Sequence, residues 1–181
     1  IPDWRARIEQ LQGSPELIGA APFLDIDAML SRPPSMSGAI VRGVDPTLDP
    51  LVSSIAGAMR EGRLSDLTPG SNRIILGRML AYQLQVGVGD LVTVMIPGNA
   101  ASAGGASDAI VPRLRDFEVS GIFEVGLQEH DSVLALVNLK YEEYTLYRQN
   151  SADPLPLDTA IAVNRGDVFE AQRDGRYGEK H

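Results

Sequence analysis

The sequence predicts an α+β fold in which strands outnumber helices. Apolar and polar side chains alternate in residues 117–123, and residues 91–96 are rich in β-branched side chains, both typical of strands. Trp4, Ile8 and Leu11 instead recur at the spacing of one helix face. Because helix and strand patterns follow one another without an internal repeat, we expect both kinds of element to pack together in a mixed domain.

Length and composition limit the classes of function. The chain has 181 residues, a net charge of −8 and no cysteine. An acidic chain lacks the basic surface that meets phosphates, so we expect no nucleic acid partner. Without cysteine there is no disulfide framework and no thiolate chemistry. No run reaches the roughly 18 apolar residues of a membrane span, and no signal peptide is visible. Since the chain starts inside a helix pattern without Met, we expect a piece of a longer protein.

The first third of the chain predicts a helix, two strands and a short second helix. The first helix covers residues 2–12 and stops at Gly13. The strands cover residues 17–30 and 38–44. One face of the first strand carries four apolar residues, Leu24, Ile26, Ala28 and Leu30. The short helix follows the Asp49-Pro50 cap and shares one face among Leu51, Ile55 and Met59.

The central third predicts a strand, a helix, a glycine turn and two further strands. Residues 74–76 form a short buried strand, and Leu80 and Leu84 mark about two turns of helix after it. Gly87 and Gly89 permit a tight turn before the strand at 91–96, on which we expect both faces to be covered. Pro97 ends that strand because proline cannot donate to a ladder. Residues 117–123 supply the partner strand, with Phe117, Val119 and Phe123 facing inwards.

Residues 98–111, closed by Pro112, form a connection of small, polar and Gly-rich composition. Such a segment cannot bury enough side chain to pack as a core element, so we expect an exposed, mobile arm that projects from a β-hairpin. Connections this long are usually functional or disordered. A flexible surface insertion without a role is therefore the alternative.

The last third predicts a polar turn at 124–132, a strand at 133–138 and a helix at 139–149. A proline-rich break at 153–156 precedes one more weak strand at 159–163. From Arg165 onwards glycines and scattered charges predict a frayed or disordered tail.

One group of residues is a candidate for catalysis or metal binding. Glu129, His130 and Asp131 combine a histidine with two carboxylates, but consecutive residues point in different directions and rarely bind one metal together. A solvated turn is the favoured interpretation. Asp25 and Asp27 lie two apart on one strand face and predict a wet surface. No nucleophile elbow, P-loop or dinucleotide fingerprint occurs, so the sequence supports no enzyme, cofactor or metal.

A resemblance to a known family suggests a function for the chain. It is carried by residues 74–94, with Leu76-Gly77, Leu80-Ala81, Leu84 and Val88-Gly89-Asp90, and by residues 117–126. Residues 41–46, reading Val-Arg-Gly-Val-Asp-Pro, and 129–132, reading Glu-His-Asp-Ser, agree in order and spacing. Together they resemble the periplasmic domain of lipoprotein-releasing ABC transporter permeases of the LolC and LolE type. These permeases belong to a wider group with the MacB efflux permeases.

The resemblance implies a porter-like α/β part that carries an inserted, mainly β part called Sabre, and a protruding β-hairpin arm. On this chain, residues 1–48 begin the porter-like subdomain. Residues 49–150 form the Sabre-like subdomain. Residues 151–181 start the second porter half and end in the disordered tail.

The resemblance also implies a noncatalytic role. A permease of this type sits in the inner membrane of a Gram-negative bacterium with this domain in the periplasm. It helps to extract lipoproteins and passes them to a LolA-type chaperone. A LolD-type ATPase hydrolyses ATP on the cytoplasmic side, and a partner permease completes the membrane part.

In the LolC type, a hairpin arm called the hook and adjacent pad residues capture the chaperone. The resemblance carries this role onto six residues, Pro97, Ile110, Val111, Pro112, Arg113 and Arg115. Arg115 matches a pad arginine, whereas Thr93 stands where the LolC type can carry another basic residue. The arm is also longer than expected, with Ile110 and Val111 as its bulky candidates.

Three alternatives stay open. The chain resembles LolC, LolE and single-permease types without a deciding residue. A MacB-like export permease shares the architecture. A double-psi β-barrel enzyme or adaptor can also be built on the Gly89-Asp90 turn, and it predicts a closed barrel with a polar pocket.

Overall fold

Strands make up most of the structure, a computed structural model that describes residues 4–13, 15, 17–96, 113–139, 160–164, 169–173 and 176–177. The helices are α1 (Trp4–Gln12), α2 (Arg78–Leu84) and α3 (Gln128–Asp131). The strands are β1 (Gly19–Arg32), β2 (Ser35–Val44), β3 (Met59–Glu61), β4 (Arg73–Gly77), β5 (Leu91–Ile96), β6 (Arg113–Phe123), β7 (Leu134–Asn138), β8 (Ala160–Asn164), β9 (Phe169–Arg173) and β10 (Arg176–Tyr177). Within these ranges, no helix has the length and apolar character needed to cross a membrane.

Six strands close into a ring because β5 pairs with two neighbours. The strands follow one another as β1, β2, β7, β4, β6 and β5, and β5 pairs with β1 again. β2 runs parallel to β7 and β4 runs parallel to β6, while the other pairs in the ring are antiparallel. The expected mixed, strand-rich α+β class is confirmed.

Aliphatic and aromatic side chains fill the inside of this ring. The four residues predicted to share a face of β1 are all buried there, and α2 adds Leu80, Ala81 and Leu84 from one side. Val92, Val94 and Ile96 of β5 belong to the same core. Burial of this apolar surface is the main stabilising contribution that the fold offers. The closed ring agrees with the double-psi barrel alternative, but the interior is a packed apolar core and not the polar pocket which that alternative also predicts.

A second core lies on the outer side of β4 and β7, where residues 49–67 cover the sheet. Ile55, Leu64 and Leu67 from this segment pack on Ile75 and Leu136. The predicted short helix that places Leu51, Ile55 and Met59 on one face is wrong. Two 3-10 turns, Asp49–Leu51 and Ile55–Ala58, occur instead, followed by β3.

The helix fails to form because a serine side chain competes with the backbone. The Ser53 hydroxyl accepts a hydrogen bond from the Ile55 amide at 3.1 Å, which satisfies that amide outside a helical ladder. Leu51 consequently remains 40% exposed, whereas Ile55 is buried.

Three strands extend the sheet beyond the ring, next to the first half of β1. β8 pairs with residues 19–23 of β1, which confirms the weak strand expected at 159–163. β9 and β10 follow at positions where the sequence predicts a disordered tail, so that prediction is wrong for residues 169–173 and 176–177. Antiparallel pairing with β8 supplies the order that local composition does not indicate. Most of the predicted helix at 139–149 lies outside the described residues.

Candidate partner-binding surface

The hairpin of β5 and β6 carries the positions to which the family resemblance assigns partner binding. The two strands pair in an unbroken register from Leu91 opposite Glu118 to Ile96 opposite Arg113. The chain therefore leaves β5 and re-enters β6 at two directly opposed residues. Segment 97–112 joins neighbouring strand ends, as the predicted hairpin arm requires.

Four of the six predicted site residues belong to that segment. Pro97, Ile110, Val111 and Pro112 lie outside the described residues, so the arm itself stays a prediction. The other two, Arg113 and Arg115, are the first and third residues of β6. Arg113 is opposite Ile96 and Arg115 is opposite Val94.

The two arginines point towards the inner side of the ring. Directly opposed residues of an antiparallel pair share one face, and Val94 and Ile96 are buried in the core. Arg113 and Arg115 thus extend the core face at the end of the hairpin, where both are half-buried. Leu114, between them, points to the opposite, outer face.

That outer face is exposed, and the prediction that both faces of β5 are covered is wrong. Leu91 is 59% exposed and Leu114 is 61% exposed. Met95 lies between Met29 of β1 and Leu114 of β6 on the same face. The sequence of β5 is apolar at almost every position, so it gives no sign that one side has no cover.

Polar contacts fix the turn that leads into this hairpin. The Gly87 amide donates to the Asp90 carboxylate at 2.8 Å, and Arg32 of β1 pairs with the same carboxylate at 3.0 Å. The hydrogen bond from Gly87 and the pairing with Arg32 lower the pKa of Asp90. Further along, the Thr93 hydroxyl donates to Asp116 at 2.6 Å across the outer face. Sequence reasoning identifies the Gly-Asp turn but neither of these cross-strand partners.

A partly buried ion pair lies on the outer face of β1 and β2. The Arg42 guanidinium donates from Nε and Nη2 to the two oxygens of Asp25, at 2.7 and 2.9 Å, and stands 4.8 Å from the ring centroid of Phe23. Asp25 is therefore part of a two-point ion pair, not the wet surface that the sequence predicts. Asp49 is buried nearby. Burial raises the pKa of its carboxyl group, and this effect exceeds the opposite effects of a hydrogen bond from Ser53 and of the charge of Arg42.

Asp49 and Asp90 are expected to shift stability with pH in opposite directions. The raised pKa of Asp49 contributes stability below its ordinary value of 3.8, which is lost as the pH rises through the raised pKa. The lowered pKa of Asp90 contributes stability above 3.8, which is lost as the pH falls. As the pH rises from 3.5 to 7, the free energy of unfolding of Asp49→Asn should increase relative to that of the wild type. The free energy of unfolding of Asp90→Asn should decrease relative to the wild type over the same range. Urea unfolding at each pH measures both trends, and parallel trends would contradict the assignment.

In the Glu129-His130-Asp131 cluster, Asp131 has a structural role. It forms α3 instead of a solvated turn, and Asp131 is buried with its two oxygens accepting the amides of Val125 and Gly126 at 2.8 and 2.9 Å. Glu129 and His130 are exposed beside an open cleft of about 820 Å³ between α3 and β2. The part of the chain that the structure describes holds no group of three or more acidic or histidine side chains able to bind a metal.

The chain is similar in sequence to known LolC proteins. It is 34% identical, over an alignment of 182 positions, to the lipoprotein-releasing system transmembrane protein LolC of Neisseria meningitidis serogroup B, a match that covers 95% of this chain. It is 36% identical over 138 residues to LolC of Xylella fastidiosa, covering 76% of the chain. The chain is a homologue of LolC-type permeases. The resemblance that the sequence motifs indicate is thereby confirmed.

The likeness extends to the LolE type at a lower level and covers only part of each relative. LolE of Haemophilus influenzae is 23% identical over 172 residues. The chain spans 32% of the Xylella LolC and 42% of the Neisseria LolC. No family model matches the chain.

Solved structures share the fold at low sequence identity. The extracellular domain of the transporter YknZ from Gram-positive bacteria has a TM-score of 0.57 and 14% identity, covering 88% of this chain and 71% of that domain. The periplasmic region of MacB from Actinobacillus actinomycetemcomitans has a TM-score of 0.56 and 13% identity, covering 90% of this chain and 64% of that region. The fold is therefore that of the extracytoplasmic domains of MacB-like ABC permeases.

Proposed function

We propose that this chain is the periplasmic domain of a lipoprotein-releasing ABC transporter permease in the inner membrane of a Gram-negative bacterium. The observation that carries the proposal is the 34% identity to a LolC protein over 95% of the chain. The domain is noncatalytic and uses no cofactor. It helps to extract lipoproteins and passes them to a LolA-type chaperone, while a LolD-type ATPase and a partner permease act through the membrane part.

The proposed contact with the chaperone is the arm at 97–112 and the strand ends beneath it. Ile110 and Val111 supply apolar side chains for the partner, between Pro97 and Pro112, and Arg113 and Arg115 supply charge at the base. The opposed positions of Ile96 and Arg113 support an arm that leaves the sheet as a hairpin. The division at residues 48 and 150 into porter-like and Sabre-like parts belongs to the same proposal.

A noncatalytic role agrees with the chemistry of the Glu129-His130-Asp131 cluster. The buried carboxylate of Asp131 accepts hydrogen bonds from two backbone amides, so it does not orient the exposed side chains of His130 and Glu129. A general base needs such an orienting group within hydrogen-bond reach.

Binding of a purified LolA-type chaperone tests the arm. Replacing residues 98–111 by a short Gly-Ser turn should weaken binding at least about tenfold, or about 1.4 kcal/mol, because the apolar anchors Ile110 and Val111 are lost. Arg115→Glu should weaken it by a smaller factor. Arg7→Glu, on an exposed face of α1, is a charge-reversal control away from the hairpin. Unchanged binding after removal of the arm would remove the hook role.

A MacB-like export permease is the second candidate, favoured by the TM-score of 0.56 to the periplasmic region of MacB. In that case the domain meets a periplasmic adaptor in place of the chaperone. The sequence on both sides of this chain in its gene discriminates the two. Four membrane helices without a fused nucleotide-binding domain favour the lipoprotein system.

A further inference from the structure

The cleft between α3 and the outer face of β2 lies on elements other than the β5 and β6 hairpin. Ile40 of β2 and Leu134 of β7 are opposite each other in the parallel pair and form its floor. Leu127 and Val133 flank α3 and line the cleft beside that floor. We name this space, of about 820 Å³, the α3 cleft.

The apolar side chains of the α3 cleft are partly in water. Leu127 is 58% exposed and Val133 is 36% exposed, although Leu134 beside them is buried. Exposed apolar side chains that adjoin one another usually mark an interaction site. Covering them removes apolar surface from water, which favours an occupant that has apolar side chains of its own.

Two carboxylates stand on opposite sides of the floor. Asp27 of β1 is opposite Ile40, so the two side chains share the outer face. Glu129 lines the cleft from α3. Both acids are exposed, and neither forms an ion pair with another residue in the described part of the chain. Each carboxylate can therefore accept a cation that a partner supplies.

The guanidinium group in the lining does not offset these two charges. Arg42 lines the cleft, but its Nε and Nη2 donate to the two oxygens of Asp25 at 2.7 and 2.9 Å, and this ion pair is neutral as a unit. His130, the other basic side chain in the lining, is formally neutral at pH 7. The floor consequently lies between two negative charges.

We propose that the α3 cleft binds a segment of a partner protein in which two apolar side chains lie between lysine or arginine residues. The apolar pair covers the floor and Leu127, while the basic residues reach Asp27 on one side and Glu129 on the other. Asp27 and Leu134 are two strand spacings apart, about 10 Å, which an extended segment spans in about three residues. Opposite charges attract such a segment and set its direction across the floor.

Two other occupants fit the cleft less well. A small molecule needs a site that encloses most of its surface, whereas the lining comes only from β2, α3 with its flanks and the start of β7, so the side towards β1 is open. A second copy of this chain brings a net charge of −8 to a negative surface, and like charges across an interface oppose association.

The inference does not rest on the proposed chaperone contact. The cleft is built from β1, β2, β7 and α3, and none of these elements carries the arm. A result that overturns the cleft therefore leaves the proposed function untouched, and the reverse also holds.

Histidine NMR tests the inference, because the chain has two histidines and one of them lines the cleft. His130 reports on the α3 cleft, and His181, the last residue, is the internal control. The probe is a capped synthetic peptide with two leucines flanked on each side by a lysine. One control peptide carries glutamates in place of the lysines, and another carries serines in place of the leucines.

The lysine-leucine peptide should shift the imidazole resonances of His130 and leave those of His181 unchanged. Added salt should weaken binding, because exposed charges are screened. The double variant D27N/E129Q removes both carboxylates with little change of shape. It should raise the dissociation constant of this peptide about tenfold and remove most of the salt dependence.

Matched variants separate the cleft from the charge of the whole chain. E9Q/E61Q removes two exposed carboxylates on α1 and β3, changes the net charge equally, and should leave the dissociation constant unchanged. Leu127→Ser should raise it about fivefold, because an apolar contact is lost. Ile18→Ser, at a residue that is 65% exposed before β1, is the control for Leu127 and should have no effect.

Four results would overturn the inference. The glutamate or the serine peptide could bind as tightly as the lysine-leucine peptide. E9Q/E61Q could weaken binding as much as D27N/E129Q, which would mean that net charge alone attracts the peptide. The peptide could shift both histidines equally. Shifts of His130 that follow the protein concentration without any peptide would identify a second copy of the chain as the occupant.

Discussion

We expect Asp131→Ala to lower the free energy of unfolding by about 3 kcal/mol, since it removes two charge-assisted hydrogen bonds to backbone amides. The carboxylate of Asp131 is buried and accepts from Val125 and Gly126, and it thereby holds the turn between β6 and α3. Without it, both amides lose the side-chain acceptor that pairs with them. Urea unfolding monitored by circular dichroism measures the loss.

Matched variants separate this structural role from a chemical one. Asp131→Asn should lose less than Asp131→Ala, because its amide oxygen still accepts one of the two bonds. Glu129→Ala and His130→Ala, both exposed on α3, should stay within about 0.5 kcal/mol of wild type. A loss at His130 equal to that at Asp131 would instead indicate that the cluster acts as a unit, as a metal or acid–base site would.

We expect Leu80→Ala to cost about 3 kcal/mol, because a fully buried leucine leaves both lost transfer energy and a cavity. Leu80 projects from α2 into the core that all six ring strands share. A cavity there cannot close easily, since the ring holds the strands in place. The variant should therefore unfold at lower urea concentration with an unchanged dependence on urea.

Met79→Ala is the control for this prediction. Met79 precedes Leu80 on the same helix but is 43% exposed, so its loss should cost less than about 1 kcal/mol. Equal losses at the two positions would mean that the ring interior is loosely filled, as a barrel with an open binding pocket would be.

The sequence predicts local elements well and long-range arrangements poorly. Residues 74–84 are recognised as strand and helix because β-branched and helical patterns adjoin without ambiguity, and β4 and α2 confirm this. The pairing of β5 with β1, which closes the ring, joins residues more than sixty positions apart. No local sequence pattern specifies such a contact, so the closed ring cannot be predicted from the sequence patterns.

The site illustrates the same limit. Arg113 and Arg115 are found through resemblance, but the face to which they point depends on the register with Val94 and Ile96. The exposed outer face of β5 is missed because an apolar strand is equally compatible with two covered faces or one. The burial of the Asp131 side chain is missed because it depends on two backbone amides that the turn after β6 brings close to it.

Lipoprotein transfer in a reconstituted system tests the central claim most directly. The full-length permease that contains this chain is placed in proteoliposomes with its partner permease, the ATPase and a lipoprotein, and transfer to a soluble LolA-type chaperone is followed. Replacement of residues 98–111 by a short turn should abolish transfer while ATP hydrolysis continues. Transfer at the wild-type rate without the arm would contradict the account.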